Sequence, residues 1–183
     1  MRIPVIAFAL FFALASVTRA DGDSHAIDAA KSKAAFSVPH VFVERVTGTV
    51  PIVGGTVVLA PDSEIPVSLT AELDPSKISS GDHDRDAALT GPDFFDAKAD
   101  PSWTFTSTKI TPVSAMSFGI DGTLTMHGVT VPEHLDATIR GAAAHRTYHA
   151  VGHIDRKAFH MSVTRLDPVI GNIVDVTLDI DLK

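Results

Sequence analysis

The chain has 183 residues, 45% of them apolar and 20% charged, with no cysteine and a formal net charge of −7. That length suits one ordinary domain whose core needs no metal or disulfide support. The missing cysteines exclude thiol catalysis, iron–sulfur clusters and cysteine-based zinc sites, and the acidic balance makes nucleic acid a poor partner.

Residues 1–20 read as a cleaved signal peptide. Met1-Arg2 is positive, Ile3 to Val17 runs almost without polarity, and Thr18-Arg19-Ala20 places small residues ahead of the polar Asp21-Gly22-Asp23-Ser24. The apolar run is shorter than the roughly 20 residues that cross a bilayer, so an uncleaved anchor is the lesser reading. Residues 21–183 are then the folded domain, expected in the periplasm or secreted, with no stable membrane insertion after cleavage. Losing Arg2 and Arg19 takes the net charge from −7 to −9.

Beyond the leader, apolar and polar residues alternate in short runs separated by turn residues. Phe36, Val38, His40 and Phe42 share one face, with Pro39 suggesting an edge or a bulge. Val53-Gly54-Gly55 and Ala60-Pro61-Asp62-Ser63 read as turns on either side of a strand, and alternation returns over Val67 to Leu73. Ser79 to Pro92 breaks the pattern. Its Ser and Asp residues can cap free amides and Gly91-Pro92 can end a helix, which predicts one short helix near residues 81–90. Phe94 and Phe95 follow it directly. Trp103 to Thr108 alternates again, Thr111-Pro112 reads as a turn, and Met116, Phe118, Ile120, Gly122 and Leu124 share a face. His127-Gly128 and Gly141 bracket a run that includes Leu135 to Arg140. After Gly171-Asn172, alternation is perfect for nine positions from Val174 to Leu182. About eight one-sided strands joined by short loops predict an all-β chain folded as a single antiparallel barrel or sandwich.

Several of these segments, in order, resemble the YceI-like proteins. Arg85-Asp86, Leu89, Asp93-Phe94-Phe95-Asp96, Pro101 and Phe105-Thr106-Ser107-Thr108 are similar to the family's central signature. Gly122-Thr123-Leu124-Thr125-Met126-His127-Gly128-Val129-Thr130 looks like its second signature. Phe36-Ser37-Val38-Pro39-His40 with Gly48 resembles the opening strand, and Arg156 with Phe159 resembles the segment before the closing strands. The chain departs from the pattern at Lys31, Ala88, Thr49-Val50 and His160, which bears on ligand contacts more than on the fold.

The resemblance implies a lipocalin-like β-barrel with an elongated apolar lumen that holds a polyisoprenoid, an isoprenoid quinone or a fatty-acid-like lipid, as a periplasmic carrier or sequestering protein. No cofactor is expected apart from that bound lipid. The alternation itself suits a packed core and a tunnel equally well. The lining candidates are Phe36, Val38, Phe42, Leu69, Phe94, Phe95, Trp103, Phe105, Phe118, Leu124, Leu135, Ile139 and Phe159; plain core packing is the leading reading for each, and Phe94 and Phe95, beside the helix, are the strongest candidates, to gate a tunnel or to plug one end. His40, Arg85, Asp86 and Arg156 are candidates for headgroup contact or for structural pairing. A homodimer through an edge strand is a further expectation.

Two other readings compete. His145, His149 and His153 are spaced by four, which would converge on a metal only on a helix, because positions i and i+4 of a strand lie about 13 Å apart. Asp82, Asp84 and Asp86 mimic the start of a calcium loop without its glycine or final glutamate. An enzyme acting on a lipid-like substrate has no motif in its favour: Gly-x-Ser-x-Gly, the Walker loop and the dinucleotide fingerprint are all missing.

Overall fold

The computed structural model describes residues 22–41, 44–141, 146–161 and 168–183. Ten strands form one antiparallel sheet: β1 (Asp23–Ala26), β2 (Lys33–His40), β3 (Glu44–Val50), β4 (Ile52–Leu59), β5 (Pro66–Leu73), β6 (Trp103–Ser114), β7 (Ser117–Met126), β8 (Val129–Arg140), β9 (Thr147–Asp155) and β10 (Ile173–Asp181). A short helix, α1, spans His83–Thr90.

Hydrogen-bonded neighbours follow the order β1-β4-β5-β6-β7-β8-β9-β10-β2-β3. Two features curl this sheet into a barrel. First, β3 passes into β4 through Pro51 alone, so the last strand of the order is covalently continuous with the second. Second, the chain after β1 reaches the end of β10: Ile27 bridges Leu182, Asp28 N–H donates to Asp181 O (2.8 Å), and Lys183 N–H donates to Ala26 O (2.9 Å). Edge groups that would otherwise template a foreign strand are thus partly used within the molecule.

The expected count of about eight strands falls short of the ten observed. Asp23–Ala26 carries too little alternation to be read as a strand, and its partner β4 supplies the order instead. Gly54-Gly55 is not a turn. It lies inside β4, where the register against β5 shifts between Ile52 and Gly54 and Gly55 takes a φ of 144°. Glycine there absorbs a bulge instead of reversing the chain. Thr111-Pro112 is likewise inside β6, at an irregularity between Pro112 and Ser114, and the chain reverses after Ser114. Met116 therefore sits in that reversal, 45% exposed, and not on the inward face of β7.

Other local expectations match the structure. The Asp82 carboxylate accepts from Arg85 N–H (3.0 Å) at the start of α1, and Gly91 ends the helix. His127 and Gly128 both have positive φ, 52° and 69°, and join β7 to β8 as a two-residue hairpin turn whose twist suits the strands. Residues 147–155 are strand, so the helix that a histidine triplet would need does not form over His149 and His153.

The interior divides into two halves. At one end the inward side chains close on one another. Phe118 meets Tyr148 edge to face at 6.3 Å, Ile120, Ala137 and Ile139 fill in beside them, and Tyr148 Oη donates to Glu64 O (3.0 Å) across the barrel end. At the other end, beneath α1 and the segment that follows it, the walls stay apart.

That second end is fastened by Arg156, which is 5% exposed and opens the 3₁₀ turn Arg156–Phe159 after β9. Its guanidinium donates to Gly171 O (3.0 Å), Ile170 O (3.2 Å), Asn172 Oδ1 (3.3 Å) and Met161 O, tying both sides of the approach to β10 to one fork. Removing it leaves several carbonyls unsatisfied. Arg156→Ala is expected to lower stability by on the order of 3 kcal/mol in urea unfolding, and Arg156→Lys, which keeps the charge without the fork, to recover only a minor part.

Candidate functional site

The open half of the barrel encloses a cavity of about 370 Å³, with walls that are almost wholly apolar. A volume of that order falls within the range of small-molecule sites. β2 contributes Ala34, Phe36 and Val38, β3 contributes Val46 and Val50, and β10 contributes Val174, Val176 and Leu178. Leu124, Met126 and Leu135 close the far wall, and Ala88, Leu89, Phe94 and Phe95 form the lid side.

Local sequence explains why this half stays open. Phe36 lies directly opposite Gly48 across β2 and β3, and a Cβ on Gly48 would stand 2.5 Å from the ring. The Phe105 ring lies over Gly122 in the same way, where a Cβ would stand 2.3 Å away. Each ring rests against bare backbone and hugs the wall, so its bulk is not spent on the lumen. Alanines at 34, 35 and 88 withhold further volume.

Eight of the thirteen lining candidates border this cavity: Phe36, Val38, Phe94, Phe95, Trp103, Phe105, Leu124 and Leu135. Four do not. Phe118 and Ile139 belong to the packed end, Leu69 packs against the core beside Val57, and Phe159, at 0% exposure, is sealed within the core. Phe42 lies outside the described residues. Sequence reasoning missed Val46, Val50, Val174, Val176 and Leu178. The last three sit on the perfectly alternating strand and were legible as inward; the alanines carry no signal of their own.

Phe94 and Phe95 are held by the end of α1, since Phe95 N–H donates to Leu89 O (3.0 Å) and Phe94 N–H to Gly91 O (3.1 Å). Phe95 meets Trp103 edge to face at 4.7 Å. The indole nitrogen of Trp103 is the one buried side-chain polar atom without a hydrogen-bond partner among the described residues.

Arg85 and Asp86 converge on Ser80. Asp86 accepts from Ser80 N–H (2.8 Å) and from its hydroxyl, while Arg85 donates to Ser80 Oγ (2.7 Å) and Ser80 O (2.9 Å). Ser79 and Thr49 exchange both backbone hydrogen bonds, so this cluster anchors α1 to the free edge of β3. Arg85 also borders the cavity, and so do His40 and Arg156; Asp86 does not.

On the outer face, histidines pair with carboxylates on adjoining strands: His134 with Asp121 (2.7 Å), His149 with Asp179 (2.7 Å) and His153 with Asp175 (2.8 Å). The hydrogen bond that His134 donates to the Asp121 carboxylate holds its imidazole above the ordinary value, with Asp136 adding to it. The bond from His153, joined by Arg45, holds the Asp175 carboxyl below the usual carboxylate range. His149 and His153 are therefore engaged separately, each with its own β10 partner, and His145 lies outside the described residues. No group of three or more ligating side chains gathers among the described residues. The calcium-loop resemblance gives way as well, because Asp82 caps α1 and Asp86 is taken by Ser80. No helix of the described residues is long and apolar enough to cross a membrane.

The His134 pair carries a sign that can be checked. Its folded value lies above the unfolded one, so its contribution is present below about pH 6.5 and is lost as pH rises through the raised value. Both partners are about half exposed, so the contribution is small. A proton NMR titration should place the His134 midpoint above that of an ordinary imidazole, and Asp121→Asn should bring it back down.

Residues 25–182 match the YceI-like domain. A protein of Vibrio campbellii named UPF0312 protein is 27% identical over 144 residues, covering 78% of this chain and 76% of its own. Among solved structures, BcnA of Burkholderia cenocepacia superposes with a TM-score of 0.74 at 24% identity, covering 84% of this chain and 98% of that one. A polyisoprenoid binding domain from Saccharophagus degradans superposes with a TM-score of 0.66 at 14% identity, covering 85% and 95%. With nearly all of the described barrel inside the matched span, the chain belongs to the YceI-like family.

Proposed function

We propose that this protein binds a long apolar chain, such as a polyisoprenoid, an isoprenoid quinone or a fatty-acid-like lipid, and carries or sequesters it without changing it chemically. The observation that carries this reading is the apolar cavity of about 370 Å³ in a barrel whose opposite end is solid. A half-filled interior is what a tail-binding protein needs, because the packed end stabilises the fold without the ligand. Each methylene transferred from water contributes about 0.8 kcal/mol, against the cost of ordering the chain. The structural neighbour named as a polyisoprenoid binding domain supports the same reading, and family membership favours binding over catalysis. We place the protein in the periplasm or outside the cell, on the strength of residues 1–20 alone.

Protein purified from a membrane-containing lysate is expected to release a lipophilic molecule on solvent extraction, seen by mass spectrometry. Val176→Trp, which thrusts an indole into the cavity wall, should weaken fluorescent-lipid uptake at least tenfold while leaving the far-ultraviolet circular dichroism unchanged. Protein recovered empty, with no uptake by the wild type, would overturn the carrier reading. Intact-mass measurement of the exported protein should show a chain starting close to Asp21; retention of Met1 would remove the export argument.

A further inference from the structure

The wall of the barrel has a seam. β8 and β9 share ladder pairs only from Leu135↔Gly152 to Arg140↔Thr147, although β8 begins at Val129 and β9 runs on to Asp155. Beyond Leu135 the strands part, and a cleft of about 290 Å³ lies on the outer side, bordered by Pro132, Glu133, His134 and His153 among others. Glu133 and His153 also border the inner cavity. These two residues therefore mark where the lumen and the outer cleft meet, Glu133 from the inward face of β8 and His153 from the outward face of β9.

Glu133 is out of place on an apolar wall. It alternates with Leu135 and Ala137 on the inward face of β8 and lies directly opposite Gly122 on β7. It is half-buried, and among the described residues it accepts no hydrogen bond and meets no cation. Its neighbours are committed elsewhere, His134 to Asp121 and His153 to Asp175. Burial pushes its carboxyl up, and Asp155 nearby pushes the same way. A half-buried carboxyl without a protein partner forfeits part of its hydration.

We propose that the β8–β9 seam is the end-group site of the cavity, where the Glu133 carboxylate receives the hydrogen-bond-donating end of a long-chain ligand, a hydroxyl or an ammonium group. The apolar tail fills the lumen, and the polar end lies at the parted strands with access to water. An anionic end group meets Glu133 and Asp155 together and is disfavoured. This deepens the reading that the cavity holds a long chain, and rests on it.

The test is titration calorimetry of the full protein with dodecylamine, dodecanol and dodecanoate, the ionic chains below their micelle concentrations and the alcohol below its solubility limit. The wild type should bind the amine at least tenfold more tightly than the carboxylate, with the alcohol between them. Glu133→Gln, which keeps the shape and removes the charge, should bring amine and carboxylate to within about threefold. A Glu133 that served only the fold would lose melting temperature on that substitution; here the lipid-free variant should melt no lower than the wild type at pH 7. Equal affinity for the three end groups, a preference for dodecanoate, or a preference unchanged in Glu133→Gln overturns this inference while leaving the carrier reading standing. Absence of binding by any of the three chains overturns both.

Discussion

Every inward side chain of a curled sheet competes for the same enclosed volume, and the rest of this structure follows from how that volume is shared. At one end Phe118, Tyr148, Ile120 and Ile139 use it up, and the barrel gains its core there. At the other end the two large rings, Phe36 and Phe105, are laid over Gly48 and Gly122, and alanines stand where larger residues would fit. The same period-two alternation runs through both halves. Side-chain size, and what lies across the strand from each ring, separates core from cavity.

Holding open an apolar space puts demands on its rim. Residues that would collapse inward must be held by polar contacts, since no packing holds them. Ser80 gathers Arg85 and Asp86, Ser79 pairs with Thr49, and Arg156 spans the backbone before β10 with four bonds. α1 buries none of its own residues, so it is kept in place by this fastening and by the cap at Asp82. Most charge near the cavity is thus spent on structure. That leaves an apolar interior which selects a tail by length and shape, and only a few polar groups able to read its end.

The outer face answers to different physics. His134, His149 and His153 stand on strands whose neighbours present Asp121, Asp179 and Asp175, and each imidazole pairs with its cross-strand carboxylate, His134 with Asp136 of its own strand as well. These cross-strand pairs are solvent-screened and contribute modestly, but they order the charges of an acidic surface and occupy histidines that a spacing argument would offer to a metal.

The all-β class, the single short helix, its cap at Asp82 and the closing strand from Val174 to Leu182 were legible in the sequence, because each depends on local periodicity or capping. So were eight of the residues that border the cavity, six because alternation assigns a face, and Phe94 and Phe95 because they directly follow the predicted helix. What local pattern cannot carry is whether a face meets another side chain or empty space. Phe118 and Phe105 read identically along the chain, yet one is packed against Tyr148 and the other lies on a glycine seventeen positions away. The ten-strand count, the bulge at Gly54-Gly55, the parting of β8 from β9 and the solitary position of Glu133 were likewise decided only in three dimensions. Sequence alone determined the face that most strand residues take; the long-range register of strands far apart in the chain decided which of them meet, and therefore where the molecule is hollow.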